Sequence, residues 1–244
     1  MYNKMLLYSI QREKEGLDYR YGSEDRLVLQ QMLEEINREL GTNLHYLAEI
    51  DAFNLKGAGK IMCKYVDRFQ SEDVRAYCVP QLVEDRIPDC DAVLLALYHH
   101  FQDSSEFFPV NGYLSAHVYV RYDNAFTRRK SKRCQNDLLE LVQNPINMFY
   151  LPFTVEMLSS WKIPVLYELL LCYARHEKSF PPEFQEALSQ EQLAFAYRQI
   201  MFTVISGFRY FPTEEAKAIL SDCSHSEDRD IRQAAKKSQR LQQR

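Results

Sequence analysis

The stretch Ser71-Glu72-Asp73-Val74-Arg75-Ala76-Tyr77-Cys78-Val79-Pro80-Gln81-Leu82-Val83-Glu84 opens with an acidic turn and an apolar-arginine pair. Carboxylates there suit the positive end of a helix dipole. Near the other end of the chain the same order of residue types returns as Ser226-Glu227-Asp228, followed two residues later by Asp230-Ile231-Arg232. Val74 and Ile231 are 157 residues apart. That is four steps of about 39, close to the ~40–47 residues of a repeat built from two or three helices. Steps of that length from Val74 land near Tyr113, Pro152 and Gln192, each at or near the start of an expected helix.

Outward from these two stretches the chain reads as helix throughout. From Glu24 to Leu40 the apolar residues Leu29, Leu33, Ile36 and Leu40 recur at amphipathic-helix spacing, with Val28 and Met32 beside them. Ser23 is a suitable N-cap and Gly41 a suitable C′ residue. The same periodicity predicts helices over about 57–69, 73–86, 91–102, 112–125, 132–143, 149–160, 163–176, 190–206, 213–221 and 229–241. Their connections carry the expected breakers: Pro88, Asn111-Gly112, Asn144-Pro145, Pro181-Pro182 and Phe211-Pro212. Short connections make successive helices antiparallel neighbours. Pro80 and Pro152 fall inside helical patterns and are expected to kink or delay them.

Composition agrees. Seven glycines are few for 244 residues, which disfavours the tight turns of sheet-rich folds. A net charge of −4 gives no general pull toward nucleic acid or anionic lipid. The cysteines at 63, 78, 90, 134, 172 and 223 form no C-x-x-C pair, which reads as reduced thiols in a cytoplasmic protein. Met1 to Ile10 lacks the features of a signal peptide, and no apolar run is long enough to span a bilayer.

Ser71–Glu84 and Ser226–Leu241 resemble the second helix of HEAT repeats. In that family an acidic turn precedes an apolar-arginine pair, with a small residue three positions after the arginine. Cys78 and Ala235 hold the small position and Leu82 the next apolar one, while Gln239 departs from the pattern as a polar terminal cap does. The resemblance implies an all-α fold, a right-handed alpha-alpha superhelix of antiparallel hairpins. It also implies that Asp73, Arg75, Asp228 and Arg232 join an inter-repeat hydrogen-bond ladder. One domain is expected over 1–244, with capping helices over 1–55, central repeats over 56–208 and a capping repeat over 209–244.

Candidate functional residues follow from charge placement. Glu168 stands alone between Lys162 and Arg175, Arg198 between Glu191 and Arg209, and Glu156 between Met148 and Lys162. A lone charge in a buried helix costs several kcal/mol unless paired. Glu168 and Arg198 are therefore expected to be partners, with Glu156 joining them, as a buried ionic pair or as a charged pocket. On the helix over 112–125, Tyr113, His117, Arg121 and Asn124 share a stripe, either an ordinary solvent face or a partner-binding surface. Arg128, Arg129, Lys130, Lys132 and Arg133 form a basic run suited to phosphate contact or to a solvated helix end.

Signals for metal are thin: His99, His100 and Asp103, and the pair His45 and Glu49, each offer two ligands or so without a second cluster. Nucleophile elbows, Walker loops and Rossmann glycines are absent, and no cofactor is expected. The expected function is a non-enzymatic scaffold binding a protein or peptide partner on the inner face of a helical solenoid. The alternatives are nucleic-acid binding through 128–133, and an enzyme with a groove carboxylate such as Glu156 or Glu168, as in HEAT-like glycosylases.

Overall fold

The computed structural model describes residues 22–53, 55–104, 107 and 116–243, with the side chains of Ser23, 51–53, Ala116 and His117 left out. Among the described residues the only regular secondary structure is helical. No helix among them is long and apolar enough to cross a membrane.

The described chain falls into two compact units that divide after Ser104, inside the stretch expected as central repeats. The first holds α1 (Ser23–Leu40), α2 (Leu47–Phe53), α3 (Ala58–Met62), α4 (Glu72–Glu84) and α5 (Cys90–Asp103). The second holds α6 (Ala116–Arg129), α7 (Gln135–Gln143), α8 (Pro145–Tyr150), α9 (Pro152–Ser160), α10 (Pro164–Ala174), α11 (Pro182–Glu186), α12 (Gln190–Phe208), α13 (Glu214–Cys223) and α14 (Arg229–Gln242). A helix stands at each expected position, but the one expected over 57–69 shrinks to Ala58–Met62 with a 3-10 turn at Val66–Arg68, and 112–115 lie outside the described residues; α2, α8 and α11 are additional short ones.

In the first unit α1 packs on α3, α3 on α4, and α4 on α5. Met32 and Ile36 of α1 are fully buried, and every residue of α4 from Glu72 to Val79 is buried. Pro80 lies inside α4 without ending it. Gly41 ends α1 in the left-handed region (φ 65°), and its N–H donates to the Asn37 carbonyl. The cap at the other end is Gly22 rather than Ser23, one residue earlier than expected. Helix α3 lies so close to α4 that a Cβ on Gly59 would come within 2.3 Å of the Gln81 carbonyl oxygen.

In the second unit α6 packs on α9, α9 on α12, and α12 on α14, in a row. The other helices complete hairpins against it: α7 with α8 and α9, α10 with α12, and α13 with α14. Pro152 is the first residue of α9, where its missing N–H costs nothing, so it starts a helix instead of kinking one. Gln192 and Ile231 stand in the first turns of α12 and α14. A Ser189 capping box with Gln192 fixes the start of α12. The core is aromatic: Tyr119, Tyr122, Phe180, Phe184 and Phe208 are fully buried, and the rings of Tyr119 and Tyr150 lie face to face. Gly207 lets α12 settle against α9 and α10, since a Cβ there would meet Leu170 at 2.8 Å and Ser159 at 2.9 Å.

Glycine scarcity has a structural counterpart at the helix ends. Arg86, Lys130, Lys162 and His176 take positive φ (48°, 47°, 55° and 59°) just after α4, α6, α9 and α10. Glycine usually fills that position. A basic side chain there faces the negative end of the helix dipole, which offsets part of the steric cost.

Candidate ligand groove

The groove begins with an aspartate. Asp123, on α6 and 2% exposed, accepts the backbone N–H groups of Phe153 (3.0 Å) and Thr154 (2.7 Å) and the Thr154 hydroxyl (2.7 Å). These N–H groups belong to the first turn of α9, which has no partner for them within the helix. Burial pushes the Asp123 carboxyl up to about 6, against the three hydrogen bonds that pull it down. The contact fixes the start of α9 against α6 and leaves Phe153 facing solvent, 55% exposed.

Between these helices lies a groove of about 570 Å3, lined by Asn124 and Thr127 of α6, Lys130 after it, Phe153, Glu156, Met157 and Ser160 of α9, Trp161 after it, and Tyr210 beyond α12. Its size is within the usual ~300–1,000 Å3 of ligand sites. Arg209 pairs with Glu156, donates to the Tyr210 hydroxyl, and lies 4.6 Å from the Tyr210 ring centre. Lys132 sits 5.9 Å from the Trp161 ring centre. The charge of Glu156 is thus matched, whereas Lys130, Lys132 and Lys162 have no carboxylate partner among the described residues.

Several expected residues come together here and others do not. Glu156 lines the groove but pairs with Arg209, not with Glu168 or Arg198. The expected Glu168–Arg198 partnership is absent. Glu168 is exposed on α10, and Arg198 of α12 pairs with Asp228 (3.1 Å) and Asp230. The error has a physical source: α10 is apolar on its outer side too, where Val165 is 62% exposed, so a largely apolar helix is not buried all round. Arg128 and Arg129 lie in the last turn of α6, and Arg121 is half-buried earlier on it; all three have interactions of their own. Tyr113 and the His117 side chain lie outside the described residues.

The residues implied as a ladder behave individually. Arg75 and Glu72, both buried, pair within α4 at 2.8 Å, and both reach His100 of α5. Asp73 is buried and partnered. Asp228 caps α14 through the N–H groups of Asp230 and Ile231 besides meeting Arg198. Arg232 stays with its own helix start, donating to the carbonyls of Ser226 (2.5 Å) and Glu227 (3.2 Å).

Further cross-links between helices fall on aspartates that the sequence reading did not single out for that role. Asp25, 2% exposed, accepts from Gln70 and Ser71 N–H just before α4 (2.6 and 3.0 Å). Asp85 accepts from Gly57 and Gly59 N–H at the start of α3 (2.8 and 2.5 Å). Asp123 does the same for α9.

Among the described residues no group of three or more His, Cys, Asp or Glu side chains could hold a metal ion. His99 meets Gln102, His100 meets Glu72, and Glu49 accepts from the His45 and Tyr46 N–H groups, so neither the expected trio nor the expected pair converges on a common centre. What the groove offers is adhesion: exposed aromatic surface, a free carboxamide on Asn124, and cations at the border. Comparison of the chain with family models, with curated proteins and with solved structures gave no match.

Proposed function

We propose that this chain is a non-catalytic, cytoplasmic binding module of helical-repeat type, and that the groove between α6 and α9 grips a peptide segment of a protein partner. The observation that carries the reading is Phe153, more than half exposed in a concave site beside Trp161 and Tyr210. Large aromatics in a recess, rimmed by polar groups, are how peptide-binding surfaces place their energetic centre.

The HEAT-like part of the proposal is a right-handed alpha-alpha superhelix with the row α6–α9–α12–α14 as its inner layer. Support comes from the order of packing in that row and from the ~39-residue steps that open α9, α12 and α14. The Asp123 cap and the Arg198–Asp228 pair join successive members of the row. Stacked repeats bury their apolar sides only against neighbours, which is the condition these links meet.

Selection of a random peptide library on the immobilised chain, repeated with Phe153→Ala/Trp161→Ala, tests the groove. Enriched peptides are expected to lose binding to the double variant. Peptides that bind both proteins equally would remove the groove from the proposal.

Nucleic-acid binding is the second reading, favoured by Lys130 and Lys132 standing beside an aromatic wall. It requires log K to fall against log salt by about 0.7–0.9 per neutralised phosphate.

A further inference from the structure

The groove's charge goes further than its shape and specifies the occupant. This inference rests on the peptide-binding reading above. Glu156, the one acid among the lining residues, is answered by Arg209. Lys130 lines the groove, Lys132 stands over Trp161, and Lys162 follows Trp161 in the chain, all three exposed and without a carboxylate partner among the described residues. In a chain of net charge −4, positive charge without a carboxylate partner thus stands at the border of this aromatic recess. Complementary potential steers partners and excludes wrong ones, so the surplus selects an anionic occupant.

The backbone fixes where two of these lysines stand. Lys130 and Lys162 both take left-handed φ, 47° and 55°, at the ends of the two helices that form the groove. Glycine would sit there at lower steric cost. Each lysine is thus set at a fixed corner beside the recess, not on a free run of helix.

We infer that the occupant is an acidic peptide. It carries one bulky apolar anchor, aromatic or aliphatic, which packs against Phe153 and Met157 beside Trp161. Asp or Glu residues flank the anchor and meet Lys130, Lys132 and Lys162. The Asn124 carboxamide, exposed and unpaired, supplies a donor and an acceptor for the peptide backbone. A phosphodiester strand fits less well, because Met157 lines the groove with a surface on which a base does not stack.

The site contains its own reporter, since Trp161 is the one tryptophan in the chain. The full chain is titrated with four probes while Trp161 emission and probe anisotropy are followed. They are a short peptide with a Phe-Leu pair flanked by glutamates, the same peptide with lysines for glutamates, the same with an Ala-Ala pair, and oligo(dT). The acidic Phe-Leu peptide is expected to bind at least tenfold tighter than the other two peptides, to shift Trp161 emission, and to weaken as salt rises. In Lys130→Glu/Lys162→Glu the preference is expected to invert toward the lysine-flanked peptide, a gain that an unfolded protein cannot give.

Equal binding of the acidic and basic peptides, both lost in Phe153→Ala, overturns the acidic specificity and leaves the groove as a peptide site. Tighter binding of oligo(dT) than of any peptide overturns both. Silence of Trp161 toward every probe at millimolar concentration overturns both as well.

Discussion

The Asp123 carboxylate on α6 accepts both the backbone N–H and the hydroxyl of Thr154 on α9, each at 2.7 Å. Sequence separation between the two is 31 residues, so this is a helix cap supplied by another helix. Removing it in Asp123→Ala leaves the Phe153 and Thr154 N–H groups without their acceptor. A loss of about 1–3 kcal/mol in stability is expected from denaturant unfolding. An unchanged midpoint would show that the cap is dispensable.

The same aspartate gives a pH signature. Its folded pKa is raised from 3.8 to about 6, so the folded state holds the proton more tightly than the unfolded one. The associated stability is fully present below the unfolded value and is lost as pH rises through about 6. The span corresponds to something on the order of 2–3 kcal/mol. Glu35 and Asp228, whose pKa values are lowered, act in the opposite sense, losing stability as pH falls. The difference in Tm between wild type and Asp123→Asn isolates the Asp123 contribution and is expected to shrink from pH 4 to pH 7. A difference that grows with pH would mean that the hydrogen bonds outweigh burial.

Gly59→Ala tests the contact of α3 with α4. The added Cβ would lie 2.3 Å from a backbone oxygen and 2.8 Å from the Asp85 carboxylate that caps α3. Neither backbone nor cap yields cheaply, so a destabilisation of about 1–3 kcal/mol is expected by thermal unfolding. A cost under about 0.5 kcal/mol would show that the two helices separate easily.

Lys130→Gly and Lys162→Gly each relieve a left-handed residue, and a gain of about 0.5–1 kcal/mol per site is expected in chemical denaturation. The same variants are expected to bind the acidic peptide more weakly. Opposite movement of stability and affinity is the pattern of a residue kept for recognition. Affinity unchanged in both would assign these lysines to dipole compensation alone.

Arg198→Ala breaks the pair that ties α12 to Asp228 and Asp230. Because the Arg198 side chain is 40% exposed, no more than about 1 kcal/mol is expected, and less at high salt. Glu168→Gln is expected to stay within about 0.5 kcal/mol, as an exposed residue does. A larger Glu168 effect would restore the partnership predicted from the sequence.

Helix positions were legible where a helix buries one side, as Leu29, Leu33 and Ile36 or Leu166, Leu169 and Leu170 recur at that spacing. The end marked by Gly41 was legible for the same local reason, whereas Pro152 was expected inside a helical pattern and Ser189 was not singled out. Asp25, Asp85 and Asp123 were not legible as caps, because an aspartate that caps a helix 26 to 46 residues away leaves no trace in its own neighbourhood. Glu168 misled because an apolar helix was equated with a buried one. At the groove, Glu156 and the basic run were visible in the sequence, whereas Trp161 was not singled out. Their meeting with Phe153 and Tyr210 depends on how α6, α9 and the end of α12 pack, which no spacing rule encodes.

The corners after α4, α6 and α9 each present an exposed Arg or Lys: Arg86, Lys130 and Lys162. Every one of them is a tryptic cleavage site held in a tight bend, which a protease accepts only after the bend opens. Under mild digestion, the order in which these bonds are cut ranks the local opening free energies of successive helical hairpins.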